Sequence, residues 1–160
     1  MTKKQTDWIM FHRFRYESEF YPTLNRLPLC VRMKLDLTGI KLSLKDWLAF
    51  SIEERQVICH LPIENQEEQA AFTAYLDFLC RKYCGGPVET LPPLTASLWD
   101  TSRVPEPVLD RSETNGQAVT PQEWSHWKFH ERYALYKNAI SKSEPEKFYA
   151  VLAELRGRAR

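Results

Sequence analysis

The chain has 160 residues, 43% of them apolar and 12% aromatic, which is enough to bury a core and too apolar for a disordered segment. Its net charge of +1 gives no electrostatic case for nucleic-acid binding, which draws on a concentrated basic surface and is the weakest reading of the chain. No apolar run approaches the roughly 18–20 residues that span a bilayer, so neither nucleic acid nor a membrane is an expected partner.

The start, MTKKQTDWIMFHRFR, lacks an uninterrupted apolar core and a small-residue cleavage site, and a cytoplasmic protein is the expectation. The cysteines agree: Cys30, Cys59, Cys80 and Cys84 lie inside amphipathic patterns rather than in a loop-rich disulfide framework. Lys3, Lys4, Arg13 and Arg15 near one end, and Arg156, Arg158 and Arg160 at the other, read as solvated charged ends.

The pattern predicts one all-α domain over 1–160, a compact helical bundle of about five to six helices. Residues 1–23 form an aromatic arm. In it Phe11, Phe14, Tyr16, Phe20 and Tyr21 stand among charges with neither strand nor helix period, so the segment is expected to lie extended over the bundle. The centre of the chain is the helix after Pro28, a residue suited to a first helical turn. Leu27, Val31 and Leu35 share one side of it, and Leu29, Met33 and Leu37 another, so this helix is expected to be packed on both sides. Arg32 and Asp36 are spaced to pair along it. Arg32, Lys34 and Lys41 also allow a basic strip facing an acidic partner; a solvated strip, or an internal ion pair that fixes packing, is the plainer reading.

Gly39 supplies a left-handed stop. Ser43 caps a short helix, and Ser51 with Glu54 makes a capping box for the next, which ends before Pro62. Asn65 caps a longer one, with acidic residues first and Arg81 and Lys82 last, in the order the helix dipole favours. Phe72, Leu76, Leu79 and Tyr83 form its core stripe, widened by Ala71, Tyr75 and Phe78. Residues 85–119 are an irregular, Pro-rich crossover whose Leu91, Leu94, Leu98, Trp99, Val104, Val108 and Leu109 are too apolar for a free linker. A short helix near Glu106 to Ser112 is the one regular piece expected there. Residues 120–160 form a C-terminal helical hairpin. Thr120, Pro121 and Glu123 open one helix of about 20 residues, and Ser143 with Glu146 opens the last, striped by Phe148, Val151, Leu152 and Leu155.

Chemistry is sparse. Cys59–His60 with Cys80 and Cys84, or His126 with His130, are the groupings that could reach a metal, but none has a zinc-finger spacing and no HExxH glutamate separates the histidines. Buried thiols and packed or solvated histidines are the plainer reading. Phosphate loops, nucleotide fingerprints and a nucleophile elbow are missing from the string. No catalytic, cofactor or metal residue is therefore singled out.

FRYESEF (Phe14 to Phe20), TLNRLPLCVRMKLDLTGIKLSLKDWLAFS (Thr23 to Ser51) and Glu54–Arg55 together resemble the nitrate reductase-associated protein family. Gln122–Glu123–Trp124 and Glu131 to Lys137 resemble its second block, while Asn138 to Arg160 departs in being longer and more helical. This chain has Arg26, Thr38 and Ile63 where the family pattern often carries cysteines, so the resemblance implies no shared cysteine metal site. What it does imply is an accessory protein, not an enzyme, that needs no cofactor. Such a protein would support the activity or maturation of a nitrate reductase or other molybdoenzyme by binding it, or by binding a molybdenum-cofactor assembly protein. Arg32, Lys41 and Arg55 around the central helix, and Trp99 in the crossover, are the candidate partner contacts. The alternative is a small metal- or cofactor-binding enzyme that uses the Cys and His side chains above.

Overall fold

The computed structural model describes residues 11–142 and 144–158. Among them are eight α-helices and one two-residue antiparallel ribbon, so the fold is all-α. The chain divides into two compact units. One holds Glu17–Leu94 with the residues before Phe14, and the other holds Phe14–Tyr16 and Thr95–Arg160. Lys3 and Lys4, part of the predicted basic N-terminus, and Ser143, the predicted opener of the last helix, lie outside the described residues.

In the first unit the central helix, α1 (Leu29–Thr38), is packed on both sides as its pattern predicts. Leu29, Val31, Met33 and Leu35 are all buried. Pro28, in extended backbone before it, offers no side-chain cap. That role falls to Glu17, a buried carboxylate that accepts the Leu29 N–H at 2.9 Å and the Tyr21 hydroxyl at 2.7 Å. A negative charge there satisfies an orphan donor and meets the positive end of the helix dipole.

The described part of the arm, from Phe11 on, does not stay extended, contrary to the sequence reading, and residues 1–10 lie outside the described residues. The described part coils through a 3-10 turn at Arg15–Glu17 and further turns, with Phe20 N–H bonded to Glu17 O and Leu24 N–H to Phe20 O. This coiling keeps Glu17 and Tyr21 in reach of one another.

Gly39 ends α1 in the left-handed conformation (φ 73°), its N–H on Leu35 O at 2.9 Å. A Cβ there would also collide with the Leu91 carbonyl, so glycine is required twice over. The close approach belongs to a ribbon missed in the sequence, in which β1 (Ile40–Lys41) pairs antiparallel with β2 (Glu89–Thr90) in the register Ile40↔Thr90. Two-residue strands leave no period to read.

Helices α2 (Leu44–Ala49) and α3 (Ile52–His60) begin at the predicted serines. Ser43 accepts from Asp46 N–H, and Ser51 forms a two-way capping box with Glu54. Helix α4 (Gln66–Tyr83) begins at Asn65, whose side chain accepts the Glu68 N–H. It buries Phe72, Leu76, Leu79 and Cys80. Its stripe is narrower than predicted, because Phe78 is 58% exposed and points away from the core.

Arg55 ties these pieces together. Its guanidinium donates to the carbonyls of Trp47 (3.0 Å), Leu48 (3.0 Å), Thr23 (3.2 Å) and Leu24 (3.4 Å). The Leu24 carbonyl also accepts the Trp47 indole N–H at 2.7 Å. Leu24 itself sits at φ 49°, a costly conformation for a leucine that these bonds hold in place.

In the second unit the crossover supplies a 3-10 turn (Ala96–Leu98) and α5 (Glu106–Thr114), the short helix expected there. The predicted 20-residue helix is broken in two, α6 (Pro121–His126) and α7 (Phe129–Ile140). Trp127 and Lys128 are extended, and the Glu131 carboxylate turns back to accept the Lys128 N–H at 2.8 Å, which restarts the helix. This break and α5 carry the helix count above the predicted five to six. Helix α8 (Glu146–Arg158) buries Phe148, Val151, Leu152 and Leu155 against α7, as its one-sided stripe predicts.

Arg156, read as part of a solvated tail, is instead ion-paired with Glu123 at 2.8 Å and holds that carboxyl below its usual range. Replacing Arg55 with Met removes four backbone partners at once. The variant should lose about 2 kcal/mol in urea unfolding. Arg55→Lys should recover little of it, because one ammonium cannot span the four carbonyls. Unfolding midpoints equal to that of the parent would refute this assignment.

Candidate functional site

The sequence reading leaves Lys34 on a strip with Arg32 and Lys41, either solvated or facing an acidic partner. It is in fact fully buried, and its ammonium donates to the carbonyls of Cys59 at 2.7 Å and Ile58 at 3.1 Å. Both carbonyls belong to the last turn of α3, where helical backbone has no acceptor-satisfying partner of its own. A cation is favoured there by the dipole as well. Burial pulls the Lys34 pKa down to about 8, against the opposing pull of the Cys30 and Cys59 thiols beside it. The Cys30 thiol is pushed well up by burial and by its hydrogen bond with the Cys59 thiol. At neutral pH this cluster holds a buried ammonium beside a protonated Cys30 thiol. Its visible task is to clamp α1 to α3.

The thiols therefore pair differently from the sequence grouping. Cys59 lies with Cys30, while Cys84 lies with Cys80 and hydrogen-bonds to Asp46. No disulfide joins the four cysteines. His60 is exposed, with Nδ1 on the Gln56 carbonyl at 2.8 Å. His126 and His130 fall on α6 and α7 respectively, so the helical i, i+4 spacing that linked them does not exist. Among the described residues no three His, Cys, Asp or Glu side chains converge as metal ligands would.

The four candidate contacts fall in different settings. Arg32 on α1 and Lys41 on β1 are exposed. Arg55 spends its donors on backbone carbonyls, as described above. Trp99 is fully buried in the second unit, edge-on to Tyr133 at 5.0 Å and beside Phe129 at 5.7 Å. Contact through Trp99 would require that ring to leave its core.

A groove of about 710 Å³ lies in the first unit, between the coiled arm and α3. Phe11, Tyr21, Leu24, Val57 and Leu61 supply its apolar lining, and Arg13, Glu53, Gln56 and His60 its polar atoms. Phe11 stands edge-on to both Tyr21 and His60, with ring centroids 5.4 Å apart in each case. The Arg13 guanidinium lies over Phe11 (4.6 Å) and Tyr21 (5.6 Å). Val57 is 42% exposed at the groove. An exposed aliphatic and an exposed arginine held over buried and half-buried rings combine side-chain types that recur at the centre of protein interfaces.

The arm aromatics were legible in the sequence only as pins. That they form a wall depends on Glu17 gripping Tyr21 and on Arg55 holding Leu24, neither of which a local pattern reveals.

A second groove of about 570 Å³, lined among others by Leu37, Thr73, Asp77, Val88 and Pro93, has its charge already engaged. Asp77 is bound by Arg81 and by the Val88 N–H, and these bonds hold its carboxyl below the usual range.

Because Lys34 sits near 8 in the folded chain and near 10.5 when unfolded, the unfolded state binds more protons between those values, and stability must rise with pH across that window. Relative to Lys34→Met, the parent chain should gain about 2 kcal/mol in urea unfolding between pH 7 and pH 10. Parallel pH profiles for the two proteins would show that Lys34 is not the buried cation described here.

Comparison with known proteins matches residues 13–155 to the family described as conserved nitrate reductase-associated protein. No curated protein and no solved structure matches the chain. The match takes in every lining residue of the larger groove except Phe11. With most of its length covered, the chain belongs to the nitrate reductase-associated protein family.

Proposed function

We propose that this chain is an accessory protein that binds a nitrate reductase, or a protein that assembles its molybdenum cofactor, and that the groove between the arm and α3 is where it binds. Family membership supports the nitrate reductase link. The single observation that favours binding through this surface is the groove's composition, with Arg13 stacked on two rings beside exposed Val57 and His60.

Each group has a task in such a contact. Val57, with the half-buried Tyr21 and Leu61, loses apolar surface to the partner. Arg13, held over the rings, puts a cation beside this surface. In His60 the Gln56 carbonyl can only accept, so Nδ1 carries the proton and Nε2 of the neutral ring is the acceptor. Arg32 and Lys41 remain exposed cations elsewhere on the same unit and are secondary candidates.

Tagged parent protein recovered from nitrate-grown cells should carry a nitrate reductase or a cofactor-assembly protein with it. Val57→Glu, a change at an exposed position, should reduce that recovery at least tenfold, about 1.4 kcal/mol or more, with the helical circular dichroism unchanged. Recovery of neither protein with the parent, or equal recovery with Val57→Glu, would overturn the proposal.

A further inference from the structure

Two thiols of the first unit meet at the C-terminal end of α4, outside the groove and outside the Lys34 clamp. Cys80 is buried in the last turn of the helix, and Cys84, exposed, caps it. The Cys84 N–H donates to the Cys80 carbonyl at 2.7 Å, which closes that turn and puts the two side chains on one face. The thiols are hydrogen-bonded to each other, and the Cys84 thiol donates onward to the Asp46 carboxylate of α2. No disulfide joins them. The chain leaves through Gly85 and Gly86, where a Cβ would meet nothing within 4 Å, so Cys84 is approachable from solvent. Packing accounts for a buried cysteine but not for an exposed one held against it.

What such a pair can hold is decided by donor softness and donor count. Magnesium and calcium take oxygen donors and are turned away by sulfur. Zinc asks for three or four protein ligands, and an iron–sulfur cluster for four thiolates. Among the described residues no three His, Cys, Asp or Glu side chains converge, so neither demand is met. Cu(I) is the soft ion that thiolates select and that two of them satisfy.

We propose that Cys80 and Cys84 form a two-thiolate site for Cu(I) at the end of α4. This is independent of the groove proposed for the reductase and uses none of its residues. Binding breaks both S–H bonds and forms two S–Cu bonds, with no change in oxidation state. Both protons go to water, the one on Cys84 by way of the Asp46 carboxylate that already accepts it. The site gains one negative charge in the exchange. The exposed Lys45 ammonium, whose charge acts on Cys84, offsets it in part.

The test is an anaerobic titration of the reduced full chain against Cu(I) held by bicinchoninate, a coloured chelator complex of moderate affinity. The parent should bleach the colour with one Cu(I) bound per chain, and X-ray absorption should show two sulfur ligands. Bound Cu(I) should also protect Cys84 from alkylation by iodoacetamide, read by peptide mass. Cys84→Ser, at an exposed position, should bind Cu(I) at least about tenfold more weakly with the helical circular dichroism unchanged. A parent that leaves all of the Cu(I) on the chelator would overturn the proposal. So would equal uptake by Cys84→Ser, which would move the ion to the Cys30 and Cys59 thiols, or displacement of Cu(I) by a tenfold excess of Zn²⁺.

Discussion

The first unit depends on one electrostatic arrangement, the Lys34 ammonium of α1 donating to the Ile58 and Cys59 carbonyls at the end of α3. A helix packed on both sides cannot rely on water to satisfy the ends of its neighbours. Orphan backbone groups in such a place need a side chain, and a charged one meets the dipole too. Desolvating an ammonium is expensive, which is why the folded Lys34 sits near 8. The opposite end of α1 solves the same problem with the opposite charge, the buried Glu17 carboxylate on the Leu29 N–H. The central helix thus gives a cation to a neighbouring helix and receives an anion at its own start.

That constraint shapes the groove between the arm and α3. Glu17 can reach α1 only if the arm coils, and the coiled arm is what puts Tyr21 and Leu24 on one wall of the groove. Arg55 then fixes Leu24 in its left-handed conformation while bridging to the end of α2. Arg13, stacked over Phe11 and Tyr21, borrows that rigidity. Interactions that hold the core together therefore fix the geometry of a surface several residues away, and less of the side-chain entropy usually lost on binding remains to be lost.

Much of the first unit was legible because its signals are local. Ser43, Ser51 and Asn65 each cap the helix that follows through bonds three residues long, and Gly39 stops α1 as its position suggests. What escaped reading depends on residues far apart in the chain. Lys34 looks solvated by type, and its partners lie 24 and 25 residues away. Arg156 looks like a tail residue, yet its carboxylate is 33 residues distant. Phe78 looks like a core residue because it continues the helical spacing of Ala71 and Tyr75. Its phase, opposite Phe72 and Leu76, was available in the sequence and indicates an outward face. The break at Trp127–Lys128 also had a local sign, a glutamate three residues after Lys128, masked by an apolar pattern that continues through the break. Of the four proposed contacts, exposure could be guessed for Arg32 and Lys41. The commitment of Arg55 to carbonyls and of Trp99 to a core could not.

The account rests on a charged amine kept from water at the heart of the first unit. Nuclear magnetic resonance of the lysine Cε carbons across a pH titration reads that amine directly. One resonance, assigned to Lys34 by its absence in Lys34→Met, should titrate with a midpoint near 8 while exposed lysines titrate near 10.5. A Lys34 midpoint indistinguishable from the exposed lysines would place the ammonium in solvent and contradict the clamp between α1 and α3.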